Sequence, residues 1–135
     1  MNSQKRILLV DDDVTLAETV KLRLECEHGY EVYVESDSRR AVAAGRAFQP
    51  HCIVLDVVMP GLDGGDVATR FRRDPALREV PIAFLTGMLT EKEARARRGK
   101  CHEETFFAKP VNFEDLIQFI EAGTKPEHLR AQAQR

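Results

Sequence analysis

The feature that most constrains this chain is the run Ile53-Val54-Leu55-Asp56, followed by Val57-Val58-Met59-Pro60-Gly61-Leu62-Asp63-Gly64. An unbroken apolar run between turn signals predicts a strand buried on both faces, as parallel sheets require. The Pro and Gly residues stop that strand, so Asp56 stands at its carboxyl end. Ile7-Leu8-Leu9-Val10 ends the same way, in Asp11-Asp12-Asp13. Open α/β sheets bind ligands outside the carboxyl ends of their strands. Two buried strands that deliver acids to one rim therefore predict an acidic pocket there.

Apolar runs and amphipathic segments alternate along the rest of the chain, the pattern of a doubly wound α/β domain. Residues 6–10 form the first strand, and a helix over 14–27 presents Leu16, Val20 and Leu24 on one face until His28-Gly29 ends it. The strand 31–35 alternates in polarity, which puts it at the sheet edge. Asp37 or Ser38 caps a second helix with an inner face of Ala41, Ala44 and Phe48, stopped at Pro50. A helix over 65–73 packs Val67 and Phe71, and the strand 81–85 ends in Thr86-Gly87. Thr90-Glu91-Lys92-Glu93 fits a capping box opening a helix to Arg98. Its apolar residues are Ala94 and Ala96, so it is expected to be the least firmly anchored element. The strand 105–108 runs into Lys109-Pro110, and Asn112 caps a last helix with Phe113, Leu116, Ile117 and Ile120 as its stripe.

At 135 residues the chain has room for one domain with a substantial core. With 31% charged residues and a formal net charge of -2, the bulk balance points to neither nucleic acid nor membrane. No apolar stretch has the length of a membrane span, and the N-terminus lacks a signal-peptide pattern, so a cytoplasmic location is expected. Cys26, Cys52 and Cys101 have no CxxC spacing and read as reduced thiols, with Cys52 a small core residue.

Strand ends place Asp11, Asp12, Asp56, Thr86 and Lys109 on one edge of the sheet. Clustered carboxylates need a cation among them or raised pKa values. Hard oxygen ligands with positions left for water suit Mg²⁺, which often shares its site with a phosphate. Lys109 offers a compact cation and Thr86 a hydroxyl to phosphoryl oxygens, while Gly87 leaves room for a ligand. Asp56 then has the character of a nucleophile, since carboxylates form aspartyl phosphates.

The set Asp11-Asp12, Asp56 with Met59-Pro60-Gly61-x-Asp63-Gly64, Thr86-Gly87 and Lys109-Pro110 resembles the receiver domain of two-component response regulators, the CheY-like family. The resemblance covers residues 4–123 and leaves 124–135 as a C-terminal tail or the start of a linker. It implies a flavodoxin-like, doubly wound five-stranded parallel sheet, order 2-1-3-4-5, with five helices. It further implies that a sensor histidine kinase or histidine phosphotransferase phosphorylates Asp56. The metal ligands carried over are Asp11, Asp12, the Asp56 carboxylate and the Val58 backbone carbonyl, all toward Mg²⁺. Thr86 and Lys109 would bind the phosphoryl oxygens, and Thr86 and Phe106 would form the switch. The Lys109–Pro110 bond matches one that is commonly cis in the family.

In that scheme phosphate draws Thr86 inward and Phe106 rotates into the space vacated. The surface of the 90–98 helix, fifth strand and last helix then controls an unknown output protein or domain. Val58 and Met88 would hinder the water that hydrolyses the aspartyl phosphate. The chain is expected to be a signalling phosphoacceptor rather than an enzyme, assisting its own phosphorylation and slow dephosphorylation, without direct nucleic-acid or membrane binding. Residues 97–104 lack the Gly-Ala-Asp-Asp type of turn of transcriptional receivers, so their dimer contacts do not carry over. Nothing past residue 123 resembles an output domain.

Two other readings fit parts of the same residues. Residues 7–15 also resemble the first motif of haloacid-dehalogenase-type phosphatases, with Asp11 as nucleophile and Asp13 as general acid. That family needs an acidic pair after the fourth strand, where Thr86-Gly87-Met88 stands, and it leaves the Asp56 turn unexplained. A phosphorylation-independent scaffold of receiver fold is disfavoured by the intact set Asp11, Asp12, Asp56, Thr86 and Lys109. Taken singly, Asp13 reads as a helix cap, Asp63 as a turn residue and Phe107 as core. The basic cluster 95–100 is surrounded by Glu91, Glu93, Glu103 and Glu104 and reads as a solvated face, and His28, His51, His102 and His128 share no ligand spacing.

Overall fold

A computed structural model describes residues 4–57, 64–87, 105–109 and 111–123. Five parallel strands lie in the order β2-β1-β3-β4-β5, with β1 at Arg6–Val10, β2 at Glu31–Glu35, β3 at Cys52–Asp56, β4 at Ile82–Thr86 and β5 at Thr105–Ala108. The helices among the described residues are α1 (Val14–His28), α2 (Ala41–Phe48), α3 (Gly64–Arg73) and α4 (Phe113–Gly123). The helix expected at 90–98 lies outside the described residues, as do the 58–63 turn, Met88, the 95–100 cluster, Cys101, Pro110 and the tail.

β3 and β4 are buried along their whole length, as their unbroken apolar runs require of central strands. Two apolar layers cover the faces of the sheet. One packs Leu9, Val54 and Leu85 under α1 and α4 through Val20, Leu24, Leu116 and Ile120. The other packs Leu8, Leu55 and Phe84 under α2 and α3 through Ala41, Val67 and Phe71, with Leu77 joining from the turn after α3. Burying each of the larger side chains contributes about 1.5–3 kcal/mol. Cys52 is fully buried, and burial pushes its thiol up to about 12, so it is inert core.

Local chemistry explains where the helices stop. Gly29 takes φ +71 and closes α1 with its N–H on the Glu25 and Leu24 carbonyls. α2 ends on Gln49, a non-glycine residue at φ 55, whose N–H reaches the Gly45 carbonyl. Arg6 steadies that end by donating from Nε to the Phe48 and Gln49 carbonyls, at 3.1 and 2.9 Å.

Several expected boundaries shift. Asp37 caps a separate 3₁₀ turn at Ser38–Arg40, and α2 begins after it. The inner face of α2 is Ala41 and Gly45, with Ala44 and Phe48 half-buried. A Cβ on Gly45 would stand 3.0 Å from Leu77 Cδ1 and 3.2 Å from Phe71 Cε1, so the missing side chain sets how closely α2 approaches α3. β4 starts at Ile82, one residue later than its apolar run suggests, because Pro81 has no N–H to give the ladder. His51, which the sequence left without a role, accepts the backbone N–H of Arg6 at Nδ1, 2.9 Å away, and so helps align β1 with β3.

Candidate functional site

Strand register assembles the site. Val10 pairs with Leu55 across β1 and β3, so Asp11 and Asp56 leave the sheet side by side. Asp56 pairs with Leu85 on β4, and Thr86 with Ala108 on β5. Thr86 and Lys109 therefore follow along the same edge, and the Lys109 N–H donates to the Thr86 carbonyl at 2.9 Å. These neighbours come from four strands that are far apart in sequence.

Asp11, Asp56 and Thr86 retain only 1%, 5% and 3% of their exposure, while Asp12 is exposed. Carboxylate oxygens of Asp11, Asp12 and Asp56 all lie within 4.8 Å of one another. Burial and the neighbouring Asp11 charge raise the Asp56 pKa to about 6, against the pull of Lys109. Lys109 Nζ stands 3.2 Å from Asp56 Oδ1 and 3.4 Å from Asp11 Oδ2. Burial alone would lower the lysine pKa, but the two carboxylates outweigh it and hold the ammonium above the usual lysine range. Acidic oxygens that crowd one another, with one donor open to solvent, suit a hard divalent metal ion that keeps water ligands.

The acids of the first motif divide their work. Asp11 Oδ1 accepts the Asp13 N–H at 2.9 Å, which orients the Asp11 carboxylate. Asp13 turns away and caps α1, its Oδ1 accepting the Leu16 N–H at 3.1 Å. A general acid at Asp13, as the phosphatase-like alternative needs, is thus committed to holding a helix.

The rim also carries a buried acid that sequence reasoning missed. Glu35 ends β2 beside Val10, its carbonyl accepts the Asp11 N–H at 3.2 Å, and its Oε2 accepts the Asp37 N–H at 3.0 Å. Polarity alternation placed β2 at the sheet edge and gave Glu35 no role; the available signal was that it ends a strand just as Asp56 does. Phe106 is half-buried and stacks on Phe84, ring centroids 5.2 Å apart, at a cleft of about 440 Å³ that Val57 and Ala68 also line. Phe107 faces the other layer and meets Phe119 edge-on. The Val58 carbonyl and Met88 lie outside the described residues.

Comparison with known proteins gives the arrangement its relatives. The family model described as the response regulator receiver domain matches residues 7–121. The chain is 31% identical over 119 residues to the DNA-binding dual master transcriptional regulator RpaA of Synechocystis sp., covering 87% of this chain and 48% of that protein. It is 33% identical over 114 residues to the response regulator PleD of Caulobacter vibrioides, covering 84% of this chain and 24% of that protein. The chain thus spans half or less of these curated relatives. Among solved structures, Vibrio cholerae chemotaxis protein CheY4 superposes with a TM-score of 0.72 at 25% identity, covering 87% of this chain and 97% of that one.

Proposed function

Because the chain belongs to the response regulator receiver domain family, the phosphoacceptor module of two-component signalling, we propose that Asp56 is its phosphoacceptor. The supporting observation is the placement of Asp56: buried at the end of β3, among the Asp11 and Asp12 carboxylates, with Lys109 Nζ 3.2 Å away. A histidine kinase or histidine phosphotransferase supplies the phosphoryl group. An Asp56 oxygen attacks phosphorus in line, and the P–N bond to the donor imidazole breaks with its electron pair going to that nitrogen. Lys109 stays charged and compensates the phosphoryl oxygens, while the Thr86 hydroxyl donates to one of them. Asp11, Asp12, Asp56 and the Val58 carbonyl would hold Mg²⁺, which when bound neutralises charge on the acids and the transferring group.

The switch in this reading couples Thr86 to Phe106. Thr86 ends β4, Phe106 lies on the neighbouring β5, and the cleft beside Phe106 gives its ring room to change position. The chain itself is a signalling domain that promotes its own phosphorylation and slow dephosphorylation and no other reaction. No described helix is long and apolar enough to cross a membrane, and the reading places the domain in the cytoplasm. RpaA is named as DNA-binding; the residues of this chain act through protein contacts in our reading, without touching nucleic acid themselves. Residues 4–123 form the receiver and 124–135 a tail or linker in this reading.

Incubation with acetyl phosphate and Mg²⁺, followed by intact mass measurement, tests it. The wild type gains one phosphoryl group and Asp56→Ala none, and chelating Mg²⁺ prevents the gain. An adduct that survives Asp56→Ala sinks the assignment, and one that vanishes in Asp11→Ala alone revives the phosphatase-like chemistry.

A further inference from the structure

At the opposite edge of the sheet from Asp56, α2 and α3 end side by side, because each helix starts at the carboxyl rim and runs back against the strands. Between them lies a cleft of about 280 Å³ lined by Val42, Arg46, Arg70, Arg73, Asp74 and Pro75. We propose that this cleft docks an acidic segment of a partner protein, with carboxylates meeting Arg70 and Arg73 and an apolar side chain between them on Val42 and Pro75.

The three arginines are not equivalent. Arg46 is ion-paired to Asp74, which is nearly buried and holds its own place by accepting the Ala76 N–H at 2.9 Å. That pair is neutral and fixes one wall. Arg70 and Arg73 are exposed, and among the described residues neither has a hydrogen bond or an ion pair. Their neighbour Arg72 is used instead by the fold, donating to the Arg78 and Val80 carbonyls. Arginines in a last helical turn complement the helix dipole. That role does not require α2 and α3 to bring theirs to one cleft with an apolar floor.

The chemistry of the cleft selects its occupant. Residues 38–80 contain seven arginines and no lysine, and guanidinium forks suit planar carboxylates as well as phosphates. A built phosphate site would offer backbone N–H groups at a helix N-terminus; here both helices present their C-terminal, electronegative ends. A nucleic-acid track needs an uninterrupted basic stripe, and here Asp74 stands among the arginines that line the cleft. Two guanidiniums, unpaired among the described residues, beside Val42 and Pro75 match a peptide with acids flanking an aliphatic residue. Arginine is also a side chain that commonly carries binding energy at protein interfaces. This docking is independent of the phosphoacceptor reading, since it uses neither the rim residues nor the Phe106 ring.

The test is an amide chemical-shift titration of the whole chain with three probes: the peptide acetyl-Asp-Glu-Leu-Glu-Asp-amide, inorganic pyrophosphate, and a short DNA duplex. The peptide is expected to shift amides of 42–46 and 70–76, and its Asn/Gln isostere to shift none of them. Arg70→Gln with Arg73→Gln is expected to weaken the peptide about tenfold or more, the loss of charge-assisted pairs, with an unchanged melting temperature. No shifts with the peptide, or shifts that persist in the double variant, overturn the proposal. Pyrophosphate or DNA that binds there as tightly as the peptide also overturns it, since the cleft would then read phosphate. An Asp56→Ala protein that still binds the peptide keeps this result separate from the phosphoacceptor assignment.

Discussion

The ammonium of Lys109 passes the end of β4 and comes to 3.2 Å from Asp56 Oδ1, joining two strands that are not neighbours in the sheet. It stands nearly as close to Asp11, at 3.4 Å, so one cation serves two buried acids. Without it the pair would have to take up a proton or another cation near neutral pH.

That relationship predicts the behaviour of Lys109→Met. Both effects that lower the Asp56 pKa come from Lys109, so the carboxyl should titrate above about 6 in the variant. Carbon NMR of the Asp56 carboxyl reads this directly. Phosphoryl uptake from acetyl phosphate should fall about 10- to 100-fold, the loss of a charge-assisted contact. Unchanged titration and uptake would place Lys109 outside the site.

Metal-free stability should depend on pH through Asp56. Its pKa rises from 3.8 when unfolded to about 6 when folded, so the folded state holds the proton more tightly. Its contribution is fully present below the unfolded value and is lost as pH rises through the folded one. Asp56→Asn should therefore melt higher than wild type above about pH 7, with the gap closing toward about pH 4. Thermal unfolding in chelator checks it, and a gap that widens on acidification would contradict the sign.

Asp13→Ala separates a cap from a catalyst. Losing the bond to the Leu16 N–H should cost about 1 kcal/mol of stability. Mg²⁺-dependent phosphoryl uptake should survive within a few-fold. Abolished chemistry in a folded variant would return Asp13 to the role of general acid.

Gly45→Val tests the α2–α3 approach. Even a Cβ would crowd Leu77 and Phe71, which are buried and have little room to yield. Overpacking should cost about 1–3 kcal/mol, measured by urea unfolding. A neutral result would mean that α2 shifts freely on α3.

Much of this molecule was legible one residue at a time. The apolar runs before Asp11, Asp56 and Thr86 are buried strands, and polarity alternation put β2 at the edge. Asp13 reads as a cap and Phe107 as core, and both are so. These features depend on period and local turn chemistry, which a linear chain displays directly.

What the tertiary structure alone decided are the pairings. Glu35 looks like a solvent-facing residue until β1 lies beside it and its carbonyl takes the Asp11 N–H. Gly45 looks like a weak spot in a helix until Phe71 and Leu77 close over it. His51 gains a partner only when β1 and β3 align, and Arg70 borders the same cleft as Arg46 only when α2 and α3 pack together. Sequence determines which residues end a strand or cap a helix, because those preferences act over a few bonds. Distance and burial between residues remote in the chain depend on register and packing, and those exist only once the sheet has formed.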